Sequence, residues 1–120
     1  MSKVRLFKSD TVYIAGPMLG KRNRNIPAFD AAAQELRQCG VRVVSPADID
    51  RGNGFDENTP EDQIDRRKCI AADISVIMRR CTAIALLRGW RKSKGAAVEV
   101  ALGRFLGLKI FEVRNMEMVE

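Results

Sequence analysis

The chain contains no histidine, so it lacks both the commonest general base at neutral pH and the commonest metal ligand. Any chemistry must run on carboxylates, tyrosine or lysine. Cysteine is scarce: Cys39, Cys69 and Cys81 are odd in number and lack metal-ligand spacing. That pattern excludes a disulfide framework and a zinc site, and suggests small core residues instead. No metal and no cofactor are expected. Aromatic residues make up only 6% of the chain. With so few and no recognisable reading motif, a nucleic-acid-binding domain is disfavoured. No apolar run approaches the length of a membrane span, and Met1 to Asp10 lacks the apolar centre of a signal peptide. A cytoplasmic protein is expected. Repeats, low-complexity segments and linkers are also missing, so the 120 residues read as a single domain, 1–120, with its core over 11–113.

What is present is an ordinary globular composition, 46% hydrophobic and 30% charged, with a formal net charge of +6. The excess positive charge points to phosphate-bearing ligands or nucleic acid. It is clustered in Lys21, Arg22 and Arg24, in Arg66, Arg67 and Lys68, in Arg79 and Arg80, and in Arg88, Arg91, Lys92 and Lys94. Such runs are often solvated faces. The first and last groups, however, flank glycine turns, where a phosphate site competes with that reading.

Strand and helix patterns alternate along the chain. Thr11 to Ala15 is β-branched and aromatic, stopped by Gly16-Pro17, and reads as a first strand. After a basic glycine loop to Asn25, Pro27 suits a first helical turn. Phe29, Ala32, Ala33 and Leu36 then follow helical spacing up to Cys39, and Gly40 caps the end. Val41 to Val44 is a second strand. Asp48 to Pro60 shows no periodicity and is expected to be the longest loop. Thr59-Pro60-Glu61-Asp62 resembles a helix start. The helix would run to about Arg80 with Ile70, Ile74, Ile77 and Met78 as its apolar stripe and Asp73 at the border. Asp73 is then either a surface acid paired with an arginine or a working group.

Thr82 to Leu87 is an apolar third strand, as expected for a strand covered on both faces of a parallel sheet. The next helix is assigned a stripe of Val98, Ala101, Leu102 and Phe105 and ends at Gly107; Leu108 to Val113 is the last strand, and Arg114 to Glu120 a loose tail. This alternation predicts an α/β chain, a three-layer Rossmann-like (flavodoxin-like) fold with a parallel sheet of four to five strands. In such sheets ligands bind at the carboxyl ends of the strands, where the strand order reverses. The loops there are Gly16 to Asn25, Ser45 to Pro60 and Arg88 to Ser93. Tyr13 and Glu99 fall within reach of them, and Asp73 joins if its helix leans the same way. Two acids and an aromatic hydroxyl suit attack on an oxocarbenium-like sugar carbon, with a helix N-terminus holding a phosphate nearby.

The segment Val12-Tyr13-Ile14-Ala15-Gly16-Pro17-Met18, the helix from Pro27, Asp73, and Gly89-Trp90 with Ser93-x-Gly95-x-x-x-Glu99 together resemble the nucleoside 2-deoxyribosyltransferase superfamily. The resemblance runs from about Thr11 to Phe111. It is strongest to small uncharacterised domains common in phage genomes and to 2'-deoxynucleoside 5'-phosphate N-hydrolases. It implies Glu99 as the nucleophile, Tyr13 as the residue holding it, and Asp73 as the acid at the departing base. It further implies Gly16, Pro17, Met18, Lys21 and Arg22 as a loop lining the nucleotide site, with Ser93 and Gly95 at the phosphate. Ser93 stands where the transferases carry an aspartate and the phosphate hydrolases a serine, which favours a monophosphate over a free nucleoside. Thr82 and Ala72 depart from the pattern, standing where relatives often have an acid and an arginine. Trp90 is either a lid on the core, a dimer contact or a base-stacking residue.

The activity implied is an N-glycosidase hydrolysing the base–sugar bond of a (deoxy)nucleoside 5'-monophosphate. A deoxyribosyltransferase and a non-catalytic nucleotide-binding or sensing protein are the alternatives. The expected partner is a small nucleotide, with no membrane, nucleic acid disfavoured, and a homodimer or higher homo-oligomer as the assembly.

Overall fold

The computed structural model describes residues 3–119. Its strands are β1 (Val4–Leu6), β2 (Thr11–Ala15), β3 (Arg42–Val44), β4 (Ala83–Leu86), β5 (Lys109–Glu112) and β6 (Met116–Met118). Its helices are α1 (Ile26–Gln38), α2 (Pro46–Gly52), α3 (Arg66–Arg80) and α4 (Lys94–Leu106), with short 3₁₀ turns at Arg22–Asn25, Glu61–Gln63 and Trp90–Lys92. Strands β3, β2, β4 and β5 lie side by side in that order, all parallel. The order reverses between β2 and β4, which makes the carboxyl ends of these two strands the place for a ligand crevice. This is the doubly wound α/β sheet that the alternation predicts. No helix among the described residues is long and apolar enough to cross a membrane.

The period of two along the central strands sorts side chains to the two faces. Val12, Ile14, Ala83 and Ala85 face one way and pack with Phe29, Ala33 and Leu36 of α1. Tyr13, Ala15 and Ile84 face the other and pack with Ile77 of α3 and with Ala96 and Val100 of α4. Tyr13 is therefore delivered to the layer that carries Asp73 and Glu99.

Several boundaries differ from the sequence reading, each for a local reason. The expected loop from Asp48 begins as helix α2, because Ser45 caps it by accepting from the Ala47 N–H at 3.3 Å and Pro46 occupies its first turn. Helix α3 starts at Arg66, not at Pro60: buried Ile64 is held extended, and Asp65 caps the helix by accepting from the Lys68 N–H at 3.1 Å. The stretch after Arg114 is not a loose tail. Met116–Met118 pairs in parallel with Val4–Leu6, a strand the sequence did not announce, and Leu6 is fully buried. Of the three cysteines only Cys81 is in the core; Cys39 is exposed and Cys69 half-buried.

The stripe assigned to α4 is also displaced. Val98 is 53% and Phe105 87% exposed, and the buried face is Ala96, Glu99, Val100 and Gly103. Small residues explain the shift. A Cβ on Gly103 would stand 2.5 Å from Ile84 Cδ1, so the helix lies close against the sheet and a larger residue there would have to displace the end of the Ile84 side chain. In α3 Ile77 is buried, whereas Met78 is exposed and Ile70 and Ile74 are half-covered.

If the β1–β6 pair is part of the core, Leu6→Ala lowers stability by about 2–5 kcal/mol, the usual range for truncating a buried leucine. Urea unfolding measures this directly; a change near zero would make residues 4–6 a loose lead.

Candidate active site

Glu99 lies on the buried face of α4 and is 5% exposed. Its Oε2 accepts a 2.7 Å hydrogen bond from the Tyr13 hydroxyl, and Tyr13 itself is fully buried. Asp73, on α3, is 8% exposed, and its charge acts on both Glu99 and Tyr13. It makes no ion pair among the described residues, so it is not a surface acid neutralised by arginine. Its Oδ1 has no hydrogen-bond partner there. The helix α3 turns Asp73 inward because it lies four residues before Ile77, on the same side of the helix.

Burial sets the electrostatics. Glu99 is raised above the ordinary carboxylate range first by desolvation and then by the charge of Asp73, against which the Tyr13 hydrogen bond works. Asp73 is raised by desolvation and by the charge of Asp50. Tyr13 is raised well above its usual value by burial and by the two acids. Glu99 is pushed up to about 9 and Asp73 to about 6, so near neutrality the pair retains one proton, on Glu99, and one charge, on Asp73. One group is thereby available as an acid and the other as an anion.

The pair opens on a cavity of about 1090 Å³ at the carboxyl ends of β2 and β4. Its lining includes Gly16, Pro17, Met18, Lys21, Ser93 and Gly95, as the sequence reading expected, together with Asp73 and Glu99. Gly16 is required where the loops after β2 and β4 meet: a Cβ there would lie 2.7 Å from Leu87 Cβ. Ser93 is the N-cap of α4, its Oγ accepting from the Ala96 N–H at 3.2 Å, which leaves the hydroxyl proton free to donate. Lys92, Lys94, Arg88, Arg66 and Arg67 also line the cavity, so much of the positive charge surrounds it.

One expected placement is corrected, that of Arg22 at the ligand, and the positions of Tyr13 and Trp90 are fixed. Tyr13 does not line the cavity; it sits behind Glu99 and can act only through it. Arg22 is exposed and does not line it either. Trp90 is buried outside the cavity, with the Arg91 guanidinium 4.9 Å and that of Arg104 5.9 Å from its ring centroid, so it does not stack on a ligand bound there. Sequence reasoning missed Arg24 and Asp50, which form a 2.9 Å ion pair in the cavity wall. Arg24 was visible only as one of several loop cations. The signal that could have found Asp50 is the Ser45-Pro46 helix start, which places it on the inner face of α2.

The sign of the carboxylate shifts fixes a pH dependence. Groups whose pKa is raised on folding bind more protons in the folded state, so stability falls as pH rises above the ordinary carboxylate range. Glu99→Gln removes one of the two acids while keeping an oxygen for Tyr13. It is expected to stabilise the fold by about 1–3 kcal/mol at pH 8, with the gain shrinking toward pH 4. Thermal melts across that range check it; a variant less stable than wild type at pH 8 contradicts the shared-proton description.

Residues 10–112 match the family described as Domain of unknown function (DUF4406). No curated protein matches the chain. Among solved structures, the chain is similar to a 2-desoxiribosyltransferase from Leishmania mexicana, with a TM-score of 0.58, 19% identity and 92% of this chain covered. The match spans 65% of that protein's length, and at this identity it establishes a shared fold. With the family model covering nearly all of the chain, this protein belongs to the DUF4406 family.

Proposed function

We propose that this protein is an N-glycosidase that cleaves the base–sugar bond of a nucleoside 5'-monophosphate. The observation that carries the reading is the Tyr13–Glu99 hydrogen bond beside Asp73 on the wall of a cationic cavity. The similarity of the fold to a deoxyribosyltransferase agrees with it. At rest the pair's proton sits on Glu99, which is pushed up further than Asp73; once substrate is bound that proton passes to Asp73, and the Glu99 carboxylate attacks C1' of the sugar. The C–N bond breaks, and its electrons leave with the base, which takes the proton from Asp73. Water then attacks C1' of the resulting ester, passes a proton to Asp73, and frees Glu99. Tyr13 positions Glu99 and favours its ionised form. Ser93, Gly95 and the surrounding lysines hold the 5'-phosphate at the α4 N-terminus, where backbone N–H groups and the helix dipole favour an anion.

The serine at position 93 favours a phosphorylated substrate over a free nucleoside, because an aspartate there would repel the dianion. The same reading includes a homodimer. Val98 at the cavity rim, Phe105 and Met78 expose apolar surface at 53%, 87% and 61%, and a second copy would cover it. Phe105→Glu is expected to shift a dimer to monomer in sedimentation, and a wild-type monomer at micromolar concentration would remove this part of the proposal.

Glu99→Ala should reduce release of free base from nucleoside monophosphates on the order of a thousandfold or more, as for loss of a covalent nucleophile. Chromatography of a panel of common nucleotides reads the product. Activity equal to wild type would overturn the assignment. Adenine added as acceptor separates the two related chemistries: a new nucleotide in place of free sugar phosphate would make the protein a transferase.

A further inference from the structure

Arg24 and Asp50 are the most deeply buried charges in the cavity wall that the proposed reaction leaves unused. Arg24 is 5% and Asp50 2% exposed. They share one hydrogen bond, Arg24 Nη2 to Asp50 Oδ2 at 2.9 Å. Arg24 Nε and Nη1 and Asp50 Oδ1 have no partner among the described residues. A buried ion pair with so much unmet hydrogen-bonding capacity is weakly stabilising at best. The backbone also works to place it. Asn23, Arg24 and Asn25 have φ of 53°, 55° and 60°, a left-handed run that an arginine adopts only at some expense.

The topology says which part of a ligand would meet this pair. Asp50 follows β3, and Ser93 follows β4, on opposite sides of β2. Tyr13, in the middle of β2, lies between them and holds Glu99 of α4 over that strand. A ligand with its phosphate at Ser93 and its sugar carbon at Glu99 therefore extends its base toward Arg24 and Asp50. Phosphate fits this end poorly, since Asp50 and Asp73 would face it with like charge. A neutral group presenting a hydrogen-bond acceptor next to a donor satisfies both Arg24 and Asp50, and the edge of a nucleobase has that form.

We propose that the Arg24–Asp50 pair recognises the edge of the departing base and sets which bases the site accepts. The inference rests on the glycosidase reading above. Arg24 donates to a ring nitrogen or carbonyl oxygen of the base, and Asp50 accepts from the neighbouring N–H. The pair is a specificity determinant and takes no part in bond breaking.

The test compares kcat/KM for monophosphates of adenine, guanine, cytosine and uracil, and for an analogue carrying unsubstituted purine, whose six-membered ring lacks exocyclic groups. Wild type is expected to prefer its best base over its worst, and over the bare purine, by roughly 10- to 100-fold, the effect of one charge-assisted hydrogen bond. Arg24→Met and Asp50→Asn should each compress the spread among bases to within about threefold, an effect that a merely structural role would not produce. Equal wild-type rates on every base and on bare purine would overturn the proposal, and that comparison needs no variant to fold. An unchanged spread in folded variants would overturn it as well. Failure of wild type to release base from any nucleotide would instead sink the glycosidase reading, and this inference with it.

Discussion

Everything about this site depends on keeping two carboxyls out of water and within reach of each other's charge. Glu99 and Asp73 are each more than nine-tenths buried; burial and the charge of Asp73 raise the cost of ionising Glu99, and burial and the charge of Asp50 raise that of ionising Asp73. The 2.7 Å bond from Tyr13 gives Glu99 a strong donor that favours its anionic form. A pair in this condition holds a proton and a charge at the same time, which is what a reaction with an acid step and a nucleophilic step requires. It also works against stability, and a fold would not be expected to carry it without use.

The scaffold supports the pair by close packing. Alternation along β2 puts Tyr13 on the face opposite α1, and Ala96 and Gly103 bring α4 near enough for Glu99 to reach it. Gly16 performs the same service at the crevice, where the loops after β2 and β4 meet against Leu87. Around this apolar base the loops supply cations. Those at the rim are exposed, whereas Arg24 is turned inward by a left-handed run and fixed to Asp50. The cavity thus has a charged mouth, a proton-sharing centre at β2, and a neutral ion pair on the β3 side.

Much of this was legible in the sequence. The strands Thr11–Ala15 and Ala83–Leu86 follow from their β-branched and apolar runs, and Pro27 and Gly40 bracket α1 by turn chemistry alone. The crevice, and Tyr13 and Glu99 near it, follow from the order of elements. What was not legible depends on contacts between distant residues. The buried face of α4 is made by small residues, so a search for large apolar ones selected Val98 and Phe105, which face outward. Helix α2 is too short to show a period and is fixed by a cap. The β1–β6 pair joins segments from the two ends of the chain, a long-range match with no local signature. Arg24 looked like any other loop cation, since its burial depends on Asp50, which is 26 residues away.

The central claim is that Glu99 forms a bond to the sugar. The most direct measurement is mass spectrometry of protein incubated with a nucleoside monophosphate whose sugar bears a 2'-fluorine, a substituent that disfavours positive charge at C1' and so slows the attack of water on a sugar ester. The account predicts a protein heavier by one fluorinated sugar phosphate, with the added mass mapping to Glu99. Release of base with no adduct, or an adduct on another residue, would contradict it.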